Sequence, residues 1–155
     1  MQEHENTLIP HLVVHNAADA IEFYKKALDF VQEIRIPTPD GRILHCKLTR
    51  GPAVIMLCDE FSDMDASSRS PQSLHGSAVT LHLAVPDIDA AFAKAITAGA
   101  KAKMPPMDMF WGDRYGKFID PFGHVWSMST HKQDVSPQQM QQRATAMFSK
   151  SIAKI

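Results

Sequence analysis

The feature that most limits what this chain can fold into is an internal repeat. Leu12, Val14 and Asn16 recur as Leu83, Val85 and Asp87, and each second position lies 71 residues after the first. At the same distance Ala20 falls on Ala91, Val54 on Val125 and His11 on His82, and the turn glycine Gly51 lies close to the repeat of Gly123. Self-similarity at a long fixed period marks a duplicated supersecondary unit, so the first question is what one unit forms.

Ile9 to His15 is a β-branched strand pattern that ends at Asn16, a residue suited to capping a helix. Ala20, Ile21, Tyr24 and Leu28 then recur at spacings of three and four, which predicts an amphipathic helix over Ala17–Leu28. Alternating runs follow at Phe30–Ile36 and Arg42–Thr49, separated by the turn cluster Pro37–Gly41, and Ala53–Cys58 returns as a short strand after Arg50-Gly51-Pro52. The unit reads β-α-β-β-β. The second copy has a strand at Ala78–Val85, a helix at Ile88–Ala98 capped by Asp87 and stopped by Gly99, a strand at Ala100–Met109 interrupted by Pro105-Pro106, and strands at Arg114–Ile119 and Val125–Thr130. Residues 59–76 are rich in Ser and Asp and lack periodicity. The expected division is a first module at 8–58, a linker at 59–76, a second module at 77–130 and a helical extension at 131–155. Ser136-Pro137-Gln138-Gln139 is a capping box with proline at the first helical position, and Met140, Ala144, Met147, Phe148 and Ile152 form one stripe behind it. The predicted fold class is α+β: two tandem βαβββ modules forming a curved mixed sheet around a cleft, plus a C-terminal helix.

Strand parity sorts the side chains by face. The wholly apolar faces, carrying residues such as Leu12, Val14, Ile55, Leu57, Leu83, Trp126 and Met128, must pack on the helices. The opposite faces carry His11, His45, Lys47, Thr49, Thr80, His82, Ser127 and Ser129, and the offset carried across from Ile43 adds Arg114. Burying such groups unpaired is costly, so this surface meets solvent or lines a ligand cleft. In Trp111-Gly112-Asp113-Arg114 an arginine beside an aspartate suits a carboxylate or phosphate, and the same four residues also suit a tight turn with a structural ion pair. Trp111, Tyr115 and Phe118 are expected to stack on the ligand. Asp120-Pro121-Phe122-Gly123-His124 reads as a turn with an Asx bond.

Composition excludes several classes of partner. A formal net charge of -1 gives no general attraction to nucleic acid or anionic lipid. The longest apolar run, Ala53–Cys58, is far short of a membrane span. Met1–Thr7 is polar and acidic, unlike a secretory leader, and Cys46 and Cys58 sit inside strand patterns as two thiols rather than a disulfide framework. A cytoplasmic location is the expectation.

The paired units, Ala20-Ile21-Glu22-Phe23-Tyr24 on the first helix, Trp111-Gly112-Asp113-Arg114, and Asp120 to Trp126 followed by Thr130-His131-Lys132 resemble the vicinal-oxygen-chelate superfamily of glyoxalase I, bleomycin-resistance proteins, fosfomycin-resistance transferases and extradiol dioxygenases, and within it the PhnB-like branch. The resemblance covers nearly all of residues 8 to 145. It implies paired βαβββ modules and a homodimer. In metal-using members each unit gives one ligand from its first strand and one from its last, and those slots fall here on Ile9, Met56, Thr80 and Ser127. None is His or Glu, and a thioether and two hydroxyls suit a divalent zinc or nickel site poorly. The expected function is therefore binding of a small polar or anionic molecule without the usual metal, with no cofactor, through His11, His45, Met56, His82, Trp111, Asp113, Arg114 and Ser127. The alternative is a metal-dependent lyase, isomerase or dioxygenase with a divalent ion at a displaced His11/His82 site.

Overall fold

The computed structural model describes residues 8–152. Residues 1–7, which carry the leader reading, and 153–155, the end of the helical extension, lie outside the described residues. The first module runs β1 (His11–Val14), α1 (Ala17–Leu28), β2 (Val31–Pro37), β3 (Ile43–Arg50) and β4 (Ala53–Asp59). A short helix, α2 (Pro71–Leu74), follows. The second module runs β5 (Thr80–Ala84), α3 (Ile88–Thr97), β6 (Lys101–Asp108), β7 (Asp113–Ile119) and β8 (Val125–His131), and α4 (Pro137–Ile152) closes the chain. The curved sheet is built as two four-stranded halves, ordered β1-β4-β3-β2 and β5-β8-β7-β6, each with its first strand parallel to its last.

The duplication extends to individual hydrogen bonds. The Asn16 side chain accepts from the Asp19 backbone N–H (3.1 Å), and Asp87 accepts from that of Ala90 (3.2 Å). Asp59, buried at the end of β4, accepts from the first helical N–H at Ala17 (2.9 Å) and from Ile43 N (2.6 Å). Its counterpart Thr130 accepts from Ile88 N (2.9 Å) and donates to Val85 O (2.9 Å). These groups satisfy the free N–H groups that every helix start presents.

Both helices cover one continuous core, in which Leu12, Val14 and Leu57 of the first module join Leu83, Phe118, Trp126 and Met128 of the second. The opposite, polar-bearing faces of both sheets therefore point away from α1 and α3. The modules are pinned together by Asp120. Its Oδ2 accepts from the Tyr24 hydroxyl on α1 (2.6 Å) and from Trp126 Nε1 (3.0 Å), and its Oδ1 accepts from the backbone of Phe122 and His124. Burial among apolar groups and the neighbouring Asp120 charge push the Tyr24 phenol well above its ordinary range, so it stays a donor.

The predicted linker, residues 59–76, forms a polar clasp from Glu60 onward. Glu60 accepts from Ser70 Oγ (2.9 Å), Ser73 Oγ (2.7 Å) and Arg69 Nε (3.1 Å), and His15 Nε2 stands 2.8 Å from its carboxylate. The order there comes from side-chain bonds, which a search for hydrophobic period does not detect. Pro105-Pro106 is accommodated on the edge strand β6, whose register against β7 breaks between Met104 and Met107. At α4 the capping box forms as its residues require: Ser136 N donates to Gln139 Oε1 (3.0 Å) and Gln139 N to Ser136 Oγ (3.2 Å). Of its stripe, Met140 and Ala144 are half-buried, whereas Met147, Phe148 and Ile152 are exposed. Among the described residues no helix is long and apolar enough to cross a membrane.

Candidate functional site

Register places the face residues. Parallel pairing sets His11 opposite Met56 and His82 opposite Ser127, and antiparallel pairing sets Lys47 opposite Met56 and Lys117 opposite Ser127. The third strands are thus related by 70 residues rather than 71, so His45 corresponds to Tyr115 and Lys47 to Lys117. Each module presents one ring pair on this face. The His11 and His45 rings lie 6.0 Å apart, centroid to centroid, at 42°; the His82 and Tyr115 rings lie 6.0 Å apart and nearly parallel at 13°. Trp111 extends the second pair, edge-on to Tyr115 at 5.4 Å.

Two sequence expectations are overturned here. Arg114 is on the helix-facing side: its guanidinium is held by Asp89 of α3 (2.9 and 3.0 Å) and by Asp108 (3.3 Å), not by Asp113. Phe118 is on the same side, fully buried edge-on to Phe92 and stacked on Trp126. The reason is the change of offset. The second module has one residue more between its third and fourth strands (Ile119 pairs with Val125, Thr49 with Val54), which reverses parity in β7. Ile43 is itself displaced, because the β2–β3 register slips between Ile36 and Pro37; Ile43 is buried and Leu44 is exposed. Lys117 and not Arg114 is therefore the second module's cation on the face, the counterpart of Lys47, and the longer Asp120–His124 turn was the readable sign of it.

The remaining candidates divide by module. His82 is tied on both sides: Nδ1 lies 2.7 Å from Ser127 Oγ and Nε2 lies 2.9 Å from Ser129 Oγ, so in the neutral ring one nitrogen donates and the other accepts. The side chains of His11 and His45 make no hydrogen bond with any other described residue. Burial and the nearby His45 charge lower the His11 pKa. Lys47 pairs with Glu33 of β2 at 2.6 Å. Asp113, at the end of the second module's face, accepts from Trp111 Nε1 (3.2 Å) and holds His131 Nδ1 at 2.9 Å; with Asp134 on the other ring nitrogen (2.8 Å), His131 is raised above its ordinary pKa.

The first strands of the two sheets border a seam. A groove of about 420 Å³ is lined by Pro10 and Val54 from one sheet and by Val79, Thr80, His82 and Trp126 from the other. It adjoins a second groove of about 300 Å³, which shares Pro10, Val79 and Leu81 and adds His11 and His124. His124, read from sequence only as part of a turn, crosses the seam with Nε2 3.1 Å from Val13 O. His11 and His82 thus border adjoining hollows on one seam.

The metal slots implied by the resemblance do not fit a divalent ion. Ile9 offers no donor, Met56 a thioether, and Ser127 a hydroxyl already committed to His82. Among the described residues no three of His, Cys, Asp and Glu converge as a metal-binding group.

Comparison with known proteins agrees with this geometry. Residues 7–128 match the family model of the Glyoxalase/Bleomycin resistance protein/Dioxygenase superfamily. An uncharacterised protein of Mycobacterium tuberculosis is 45% identical over 138 residues, covering 88% of this chain and 81% of its own. An Arabidopsis thaliana protein is 30% identical over 122 residues, 74% of this chain and 71% of its own. Among solved structures, a PhnB protein from Bacillus cereus described as a putative 3-demethylubiquinone-9 3-methyltransferase superposes with a TM-score of 0.63 at 17% identity, covering 81% of this chain and 99% of that one. TioX from Micromonospora superposes with a TM-score of 0.64 at 23% identity, covering 81% and 98%.

Proposed function

The chain belongs to the glyoxalase/bleomycin resistance protein/dioxygenase superfamily, and from that premise we propose that it binds a small polar or anionic molecule on the helix-free face, along the seam between β1 and β5. One observation carries the reading: the duplication brings a ring pair and a lysine from each module (His11, His45 and Lys47; His82, Tyr115 and Lys117) to the same face of the paired sheets. A solvated sheet face would carry polar residues of any kind; what supports a ligand here is that both modules repeat a ring pair and a lysine at corresponding places. Trp111, Tyr115 and His82 form an aromatic wall for a flat group. Lys117 has no carboxylate within ion-pair distance among the described residues and supplies the charge that fixes an anion. The closed hydrogen bonding of His82 disfavours its use as a metal ligand and instead fixes the plane of the ring that stacks on Tyr115. The working form in this reading is a homodimer in the cytoplasm, to which the exposed apolar Val31, Ile34, Ile36 and Leu44 of the β2–β3 edge would contribute surface.

The test is a thermal-shift screen of aromatic carboxylates and phosphorylated metabolites. A compound at 100 times its Kd stabilises by about 2.7 kcal/mol, which for a chain of this size raises Tm by roughly 5–11 °C. Tyr115→Ala and Lys117→Ala must each reduce that shift while Arg114→Ala leaves it in place. A panel with no hit, or a hit indifferent to Tyr115 and Lys117, refutes the assignment.

A further inference from the structure

The two ring pairs occupy corresponding places but are chemically unlike, and the difference is systematic. Around His82 the two face-directed residues of β8, Ser127 and Ser129, bond both ring nitrogens. The corresponding residues of β4, 71 positions earlier, are Met56 and Cys58. Sulfur thus replaces oxygen at both positions beside His11, and His45 replaces Tyr115. One module surrounds its histidine with hard oxygen donors and closes the hydrogen bonding. The other has Met56 across the ladder from its histidine and a second imidazole beside it, and leaves both histidine side chains without a hydrogen-bond partner among the described residues.

That combination has a known chemical preference. Neutral imidazole and thioether together are poor ligands for hard cations and good ones for soft, low-coordinate transition metals. We propose that His11, His45 and Met56 form a binding site for a copper(I) ion on the first module's half of the face. The site shares only Met56 with the slots used by metal-dependent relatives, and it stands independently of the small-molecule reading above.

The geometry is compatible. With metal–nitrogen bonds of about 2.0 Å, two imidazoles on one ion have ring centroids roughly 5 to 6.4 Å apart; here the separation is 6.0 Å. Met56 lies directly across from His11 in the parallel β1–β4 ladder, on the strand between those that carry the two histidines. Zinc is the weaker candidate. It needs a third and fourth nitrogen, thiolate or carboxylate donor, no third His, Cys, Asp or Glu converges here, and Glu33, the acid on the neighbouring strand, is paired with Lys47.

The experiment is anaerobic titration of the full chain with copper(I) against a chromophoric copper(I) chelator. The expected result is one tightly held ion per chain, with affinity reduced by at least on the order of a hundredfold, the upper end of what losing a mere supporting partner costs, in His45→Tyr (the second module's residue) and in the volume-conserving Met56→Leu. Ser127→Ala in the second module must leave affinity unchanged. Because either first-module variant could disturb the sheet, the wild-type chain labelled at its methionine methyls supplies a second readout: the Met56 resonance, identified by its loss in Met56→Leu, must shift on copper(I) addition. The proposal is overturned if no stoichiometric copper(I) binds, if binding survives both variants, if the Met56 methyl does not move, or if zinc displaces copper(I) at equal concentration.

Discussion

Asp120 holds the two modules in register, and removing it has a cost that can be worked out bond by bond. Four donors end on its buried carboxylate: the Tyr24 hydroxyl, the Trp126 indole N–H and the backbone N–H groups of Phe122 and His124. Asp120→Ala leaves the phenol and the indole buried without an acceptor, at about 1–3 kcal/mol each, and frees two turn amides. The expected loss is about 3–5 kcal/mol, or roughly 6–20 °C in Tm for a chain of this length. Tyr24→Phe keeps the ring and removes one hydrogen bond to a charged group, at about 1.5–3 kcal/mol. The two changes must not add. In the double variant the orphaned hydroxyl no longer exists, so it should be as stable as Asp120→Ala or more so, and far from the sum of the singles. Urea unfolding of the four proteins gives the cycle. Additive losses, or a Tyr24→Phe cost below about 0.5 kcal/mol, would show that the short Tyr24–Asp120 bond does not join the modules energetically. A single transition with one m-value in all four is also expected, since α1 and the β7–β8 turn share a core.

Gly112 stands at φ +104°, where an added Cβ would lie 2.2 Å from the Gln133 carbonyl oxygen, so Gly112→Ala should cost more than about 2 kcal/mol and displace Trp111, visible as a change in near-ultraviolet circular dichroism. Asp59→Ala removes the acceptor for two backbone donors and Thr130→Ala for one, so the first should lower the urea midpoint about twice as far as the second. Proton NMR titration should place His131 above and His11 below the ordinary histidine value of about 6.5. The signs follow for stability. The raised His131 favours folding fully below its unfolded pKa, and that contribution is lost as pH rises through the folded value; the lowered His11 disfavours folding as pH falls from its unfolded pKa through its folded one. The Tm difference between wild type and His131→Gln should therefore shrink between about pH 5.5 and pH 8, and a constant difference would refute the assignment.

The repeat at 71 was legible because the strands that begin and end each module keep it: His11 and Met56 pair as His82 and Ser127 do, and even the helix-start acceptors Asp59 and Thr130 correspond. What failed lay between those strands. A β-strand reports its face only by parity, so a change of one residue in a connecting turn inverts every assignment beyond it. The turn from Asp120 to His124 is one residue longer than its counterpart, which puts Arg114 on the helix side and Lys117 on the open face; a bulge at Leu44 also displaces Ile43, the residue from which Arg114 was placed. The order within residues 59–76 escaped for a different reason: Glu60, Arg69, Ser70 and Ser73 hold that segment through charge and hydroxyl contacts, which leave no period. The same logic explains why the contrast between the modules emerges only from the structure. Met56 was already readable as a slot on this face, but nothing in the sequence set it against a contrasting neighbour. The contrast appears only when its counterpart Ser127 is seen, with Ser129, bonding both nitrogens of His82, while His11 and His45 make no such bonds.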